Sequence, residues 1–270
     1  MKDLRFIIFS SALLLLVSLG AGCATPEHPD PWEKMNRGTF AFNEGLDRYA
    51  LQPAAIAWDF VLPGLVQNGI NEFFTNLRMP VVFANDLLQA KPMAAIEDLT
   101  RFLQNSIFGL GGFIDVASMV GLSENEEDFG QTLGYWGVPP GPYLMVPILG
   151  PYTLRDGFGE IVDIVATSFA YYNALWSDVA GLNDAETAGA VIGLRGLEML
   201  NLRAIYFEEL EDSRRDAFDY YVFVRNAYLQ NRLAKTLDRT DAAVVDEGDL
   251  YFYGDDDFED GDEEEDYDEF

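Results

Sequence analysis

Residues 130–152, GQTLGYWGVPPGPYLMVPILGPY, place five glycines and five prolines in one short stretch, a density that neither a helix interior nor a central strand accepts. The segment therefore reads as a loop. Its other side chains are mostly apolar or aromatic: Leu133, Tyr135, Trp136, Val138, Tyr143, Leu144, Met145, Val146, Ile148, Leu149 and Tyr152. Connecting segments normally run through water and are polar, so an apolar loop of this length is buried by something. Two burial sites are open to it, the protein's own core or a lipid or other hydrophobic conduit.

The sequence around this loop reads as helices. In Asp30-Pro31-Trp32-Glu33 the aspartate is placed to cap, the proline fits a first helical position and the glutamate completes a capping box. Trp32, Met35, Phe42, Leu46 and Tyr49 follow at helical spacing, with Pro53 near the expected end. Further helical patterns cover roughly 68–78, 82–89, 92–108 and 112–120. Thr153-Leu154-Arg155-Asp156 resembles a second capping box and leads into an apolar run over 161–176, shorter than the roughly 20 residues a bilayer-spanning helix needs. Helices are expected again from about 183 to 211 and from 213 to 237. Strand-like alternation is weak throughout, there is no internal repeat, and the fold class is all-α.

Counting removes most catalytic chemistry. One histidine, His28, and one cysteine, Cys23, leave His-ligated metals, Ser-His or Cys-His catalysis and internal disulfides nearly all excluded. No G-x-S-x-G, H-E-x-x-H, C-x-x-C or P-loop motif occurs. The run Glu124-Asn125-Glu126-Glu127-Asp128 lacks the alternating ligands and turn glycine of a calcium loop. The chain reads as a non-enzyme with no metal and no cofactor. Its 17 Lys plus Arg against 46 Asp plus Glu give a formal charge of −29, which repels phosphate backbones and argues against a nucleic-acid partner. Sixteen of those acids, with no Lys or Arg, lie in residues 241–270, expected to form a disordered acidic tail.

The amino end reads as a targeting segment. Lys2 and Arg5 precede an apolar run over 6–19, and Gly20, Ala21 and Gly22 lead into Cys23. This resembles a bacterial lipobox, which implies a signal peptide over 1–22 and lipid attachment at Cys23. Gly20 replaces the aliphatic residue usual at that place in the pattern. Ala24, in place of an aspartate, favours the outer membrane, with 23–29 as a short tether. Trp32, Trp58 and Trp136 beside apolar segments, and the Tyr171, Tyr172, Trp176 group, add a second expected contact with a bilayer interface.

Six stretches in order carry a more specific likeness: DPWEKMNRGTFAFN (30–43), NLRMP (76–80), FGLGGFIDVA (108–117), FGQTLGYWGVPPGPY (129–143), GPYTLRDG (150–157) and YVFVRNAYLQ (221–230). Together they resemble the MlaA/VacJ family of outer-membrane lipoproteins over about 30–235, which makes 30–240 the expected domain. The resemblance implies a doughnut-like assembly of amphipathic helices in the periplasmic-side leaflet of the outer membrane, often bound to a trimeric porin. It implies that phospholipids astray in the outer leaflet pass through a central amphipathic channel to a periplasmic lipid carrier, which maintains lipid asymmetry.

Such a channel needs an apolar wall for acyl chains and cationic groups for headgroups, for which Arg37, Arg78 and Arg155 are candidates, each equally able to serve as a structural ion pair. Gly134, Trp136, Gly137, Gly141 and Tyr143 are expected to border the lipid path in a loop whose mobility could gate it. Two other readings stay open: a porin-binding scaffold that moves no lipid, and a lipid hydrolase with a carboxylate pair that sequence does not reveal.

Overall fold

The computed structural model describes residues 30–171 and 184–238; Cys23, the expected leader and tether, residues 172–183 and the acidic tail lie outside the described residues. The chain enters through α1 (Glu33–Leu46), whose N-cap is Trp32 with no side-chain cap. Asp30 does not cap it. Its carboxylate instead accepts from Asn36 Nδ2 at 2.8 Å and from the Tyr221 hydroxyl, which ties the chain entry to a distant helix.

Pro53 does not stop the helical path. A π turn, Asp47–Leu51, widens the spiral just before it, with the Gln52 N–H reaching back to the Asp47 carbonyl, and α2 (Gln52–Val61) follows. Next comes α3 (Gly64–Leu88), which runs straight through Pro80 where the sequence suggested two helices. Proline leaves the Asn76 carbonyl without its i+4 donor, and extensive packing along α4 (Pro92–Ile107) outweighs that loss. The helix expected over 112–120 shrinks to α5 (Val116–Met119), because Leu110, Gly111 and Gly112 all take left-handed backbone angles.

The Gly/Pro segment is more ordered than its composition suggests. Asp128 accepts from Gln131 N at 2.8 Å and caps α6 (Phe129–Tyr135). Strands β1 (Tyr143–Val146) and β2 (Gly150–Thr153) then pair antiparallel, Tyr143 opposite Thr153 and Val146 opposite Gly150. The expected loop therefore holds a helix and a hairpin. The Thr153 hydroxyl accepts from Asp156 N at 3.2 Å, as the capping-box pattern predicts, and starts α7 (Leu154–Tyr171). A Cβ on Gly159 of α7 would collide with the Gly130 backbone, so α6 and α7 touch at main-chain distance. Last come α8 (Asp184–Ile205), α9 (Phe207–Asp216) and α10 (Tyr220–Thr236), the expected final helix being broken at 217–219.

Burial is inverted relative to a water-soluble bundle. On α4 the inward face carries Ala95, Asp98, Arg101 and Asn105, while Met93, Ile96, Leu99, Leu103 and Ile107 face outward. Phe60 is 90% exposed and Leu65 86%, whereas Asn36, Asp86 and Asp98 are 0% exposed. In water this arrangement would forgo apolar burial worth about 1.5–3 kcal/mol per side chain. An apolar surround removes that cost, and patches of this extent mark contact with a partner or a membrane. Among the described residues no helix is long and apolar enough to cross a bilayer.

Candidate functional site

Two cavities meet in the fold. The first, about 720 Å³, has apolar walls from Phe40 and Leu46 of α1, Ala50 and Leu51 of the π turn, Met145 and Leu149 of the hairpin region, and Met199 and Leu200 of α8. The π turn thus faces a cavity, as such irregular turns often do. A charged group stands at its edge. Arg203 reaches Asp47 at 2.8 Å, and Arg214 bonds Asp47 and Glu44, both at 2.9 Å. Burial alone would raise Asp47, but hydrogen bonds from Arg203 and Arg214 hold its carboxyl below the usual carboxylate range.

The second cavity, about 400 Å³, is polar. Arg78 of α3 and Arg195 of α8 face it, both held by Glu198 at 3.3 and 3.2 Å. Glu160 and Asp163 of α7 form another part of its wall. Burial pushes the Asp163 carboxyl up to about 6 although Phe129 N and Asn85 Nδ2 donate to it, and burial likewise raises Glu160. The acidic run has defined duties here: Glu126 pairs with Lys235, Glu127 with Lys91, and Asp128 with Arg232. Leu202 and Tyr206 line both cavities. The apolar cavity and the charged one therefore lie on either side of a wall that Leu202 and Tyr206 share.

A molecule with a polar head and apolar chains matches that division, and comparison with known proteins agrees. The family model described as MlaA lipoprotein matches residues 28–235. The chain belongs to the MlaA family. It is 37% identical over 230 residues to the "Intermembrane phospholipid transport system lipoprotein MlaA" of Escherichia coli (strain K12), covering 82% of this chain and 85% of that protein. To the Haemophilus influenzae protein of the same name it is 35% identical over 238 residues, covering 84% and 90%. A solved structure from work on the "Structural basis for maintenance of bacterial outer membrane lipid asymmetry" superposes with a TM-score of 0.64 at 34% identity, covering 77% of this chain and 98% of that one.

In this MlaA family member the candidate lipid-path residues singled out from sequence fall outside the two cavities, except Arg78, which lines the polar one. Arg37 bonds Glu33 at 2.6 Å and Asp219 at 2.8 Å, with its guanidinium 4.5 Å from the Tyr221 ring centre. Arg155 is buried against Asp156 at 3.0 Å and bonds Thr236 Oγ1 at 3.2 Å; Gly134 packs on both Arg155 and Thr236. Trp136 is exposed and donates Nε1–H to the Leu88 carbonyl at 3.0 Å. Gly137 and Gly141 turn the chain with left-handed angles. Tyr143 is buried, its ring edge-on to Tyr221 and Tyr228.

Sequence reading missed Arg195, Glu198 and Glu160. The one signal available was Arg195 and Glu198 at i,i+3 spacing inside an otherwise apolar helical run, a pairing equally common on a solvated face.

Proposed function

We propose that this protein takes phospholipids from the outer membrane and passes them through the two adjoining cavities toward the periplasm, sustaining lipid asymmetry, in keeping with relatives named for intermembrane phospholipid transport and a solved neighbour from work on outer membrane lipid asymmetry. The observation that carries the reading is that an apolar cavity and a charged one lie side by side, with Leu202 and Tyr206 in the wall of both. A phospholipid is divided in the same way. Acyl chains lose water on entering the first cavity, at roughly 0.8 kcal/mol per buried methylene. A phosphate-bearing headgroup keeps charged partners in the second, so neither half is stranded.

The outward apolar residues of α2, α3 and α4 support seating in one leaflet rather than in water. In this reading Cys23 carries the lipid anchor. An embedded apolar belt supplies a second attachment beside that anchor. A trimeric porin and a soluble periplasmic lipid carrier complete the path as partners. Gly134, Trp136, Gly137, Gly141 and Tyr143, with Arg37 and Arg155, serve the passage from outside the cavities, by holding in place the hairpin region whose Met145, Ile148 and Leu149 line the apolar chamber.

The experiment is measurement of outer-leaflet phospholipid in cells lacking the protein, with and without a complementing copy. The reading expects phospholipid to accumulate in the outer leaflet without the protein and to fall on complementation. An unchanged outer leaflet would reject it.

A further inference from the structure

The polar cavity is not electrically uniform. Two guanidiniums, Arg78 and Arg195, share the single carboxylate of Glu198, itself 8% exposed, and both remain partly open to the cavity. They leave a local surplus of one positive charge. Lys235, Lys91 and Arg232 are each bound to a carboxylate of the 126–128 run. Among the described residues this leaves Glu124, Glu160 and Asp163 of the cavity lining without a cation within ion-pair distance. One wall offers N–H donors for a phosphate, and another offers carboxyls that lack an ion-pair partner, of which Asp163 accepts only from the neutral donors Phe129 N and Asn85 Nδ2. Burial holds Glu160, Asp163 and Glu124 above the usual carboxylate range, with Arg195 and Arg78 pulling Glu160 partly back, and an ammonium group beside them would favour their ionised form.

We infer that the cavity takes the headgroup of a zwitterionic phospholipid that bears an ammonium group, its phosphate on Arg78 and Arg195 and its ammonium toward Glu160 and Asp163. A headgroup with phosphate and no cation satisfies the arginines but brings like charge to the carboxyls of Glu124, Glu160 and Asp163 and supplies none of them with a cation. The cavity therefore discriminates by what it repels as much as by what it holds. The inference rests on the lipid passage proposed above and adds the class of lipid to it.

The test uses the full-length protein purified in detergent with a bound fluorescent phospholipid, displaced by phosphatidylethanolamine or by phosphatidylglycerol of identical chains. A third arm uses glycerophosphoethanolamine, which has the same headgroup and no chains. The ethanolamine lipid is expected to displace the probe about tenfold better than the glycerol lipid, the scale of one charge-assisted contact. The chain-free compound is expected to displace nothing at the same concentration. Glu160→Gln with Asp163→Asn should bring the two lipids together, mainly by weakening the ethanolamine one, while Arg78→Gln with Arg195→Gln should weaken both.

Equal displacement by the two lipids, or preference for the glycerol lipid, overturns the inference and leaves the lipid passage standing. A preference that survives the Glu160 and Asp163 changes overturns the assigned wall. Displacement by the chain-free compound as strong as by the lipid moves the site to a soluble phosphoester. Failure of every lipid to displace the probe rejects the passage as well.

Discussion

Asn36 and Asn43 stand two turns apart on α1 and pair with β1 and the turn beyond it as a neighbouring strand would. Asn36 Nδ2 donates to the Tyr143 carbonyl at 3.0 Å and its Oδ1 accepts from Met145 N at 2.9 Å. Asn43 repeats the pattern, donating to the Val146 carbonyl at 3.0 Å and accepting from Ile148 N at 2.8 Å. A two-stranded hairpin is marginal alone. Here the backbone groups that β2 does not reach are satisfied by two side-chain amides from a helix.

Removal of either amide strands main-chain groups, and the cost depends on whether water can replace it. Asn36 is fully buried, so Asn36→Ala leaves the Tyr143 carbonyl and Met145 N–H unpaired, with a loss of about 2–4 kcal/mol. Ile148, the partner of Asn43, is exposed, and Asn43→Ala should cost about 1 kcal/mol. Denaturant unfolding in detergent checks the order of the two; a larger loss at Asn43 would contradict it.

Arg101 on the inward face of α4 is 1% exposed and fastens the irregular segment after it, reaching Ser118 Oγ and Asp115 Oδ2, both at 3.1 Å. Arg101→Ala should cost about 3–5 kcal/mol, the range for leaving one member of a buried ion pair. Lysine cannot reproduce the forked contact, so Arg101→Lys should recover only part of the loss. Hydrogen exchange read over residues 110–122 should rise sharply in both variants; unchanged exchange there would show that the segment holds without Arg101.

These contacts show how far the sequence could be read. The helix starts at Pro92 and Leu154 were legible because the residues that set them, a first-position proline and the Thr153 hydroxyl, are local. The hairpin was not, since Gly150, Pro151 and Pro147 argue against strands and the groups that stabilise β1 come from asparagines more than 100 residues away. Pro80 misled for the same reason: α4, not local propensity, holds α3 straight through it. The apolar periodicity of α4 was visible, but period alone does not say which face points inward, and Asp98, Arg101 and Asn105 do. At the site, Arg78 was legible within its motif, whereas Glu160 and Glu198 look like ordinary helix-surface acids until the fold encloses them.

Stability should fall as pH rises through the weakly acidic range, because of a carboxyl pair. Asp86 and Asp98 are fully buried, and one amide, Asn125 Nδ2, donates to both, at 3.2 and 3.3 Å. Burial first, then the hydrogen bond and charge of Asp98, push Asp86 up to about 8, so Asp86 keeps its proton and donates it to Asp98. Glu127 and Lys91 act on Asp86, and Arg101 and Glu97 on Asp98. The folded state thus binds a proton that the unfolded chain releases near pH 3.8. The contribution of this pair to stability is fully present below that value and declines until pH passes about 8. Asp86→Asn keeps a donor to Asp98 and removes this decline. The variant should gain at least ~1 kcal/mol on the wild type between pH 5 and pH 8. Melting curves at the two pH values decide it, and parallel wild-type and variant curves would show that no proton is shared.

Tyr206 lines both the apolar and the polar cavity and is about half exposed, so its size can be changed with little loss of packing. Leu202, one turn earlier on α8, lines the same two cavities and is more enclosed. Enlarging Leu202 to Trp fills space at this shared wall directly. A phospholipid must move its chains and headgroup past this point together, so Leu202→Trp should slow passage, and outer-leaflet phospholipid in complemented cells should rise toward the level without the protein. Overpacking at a cavity wall costs less than in a closed core, so the melting temperature should drop by only a few degrees, equivalent to about 1 kcal/mol or less. Tyr206→Ala widens the same point and should leave outer-leaflet phospholipid at the wild-type level. A Leu202→Trp protein that melts normally and clears the outer leaflet normally would place the lipid path elsewhere.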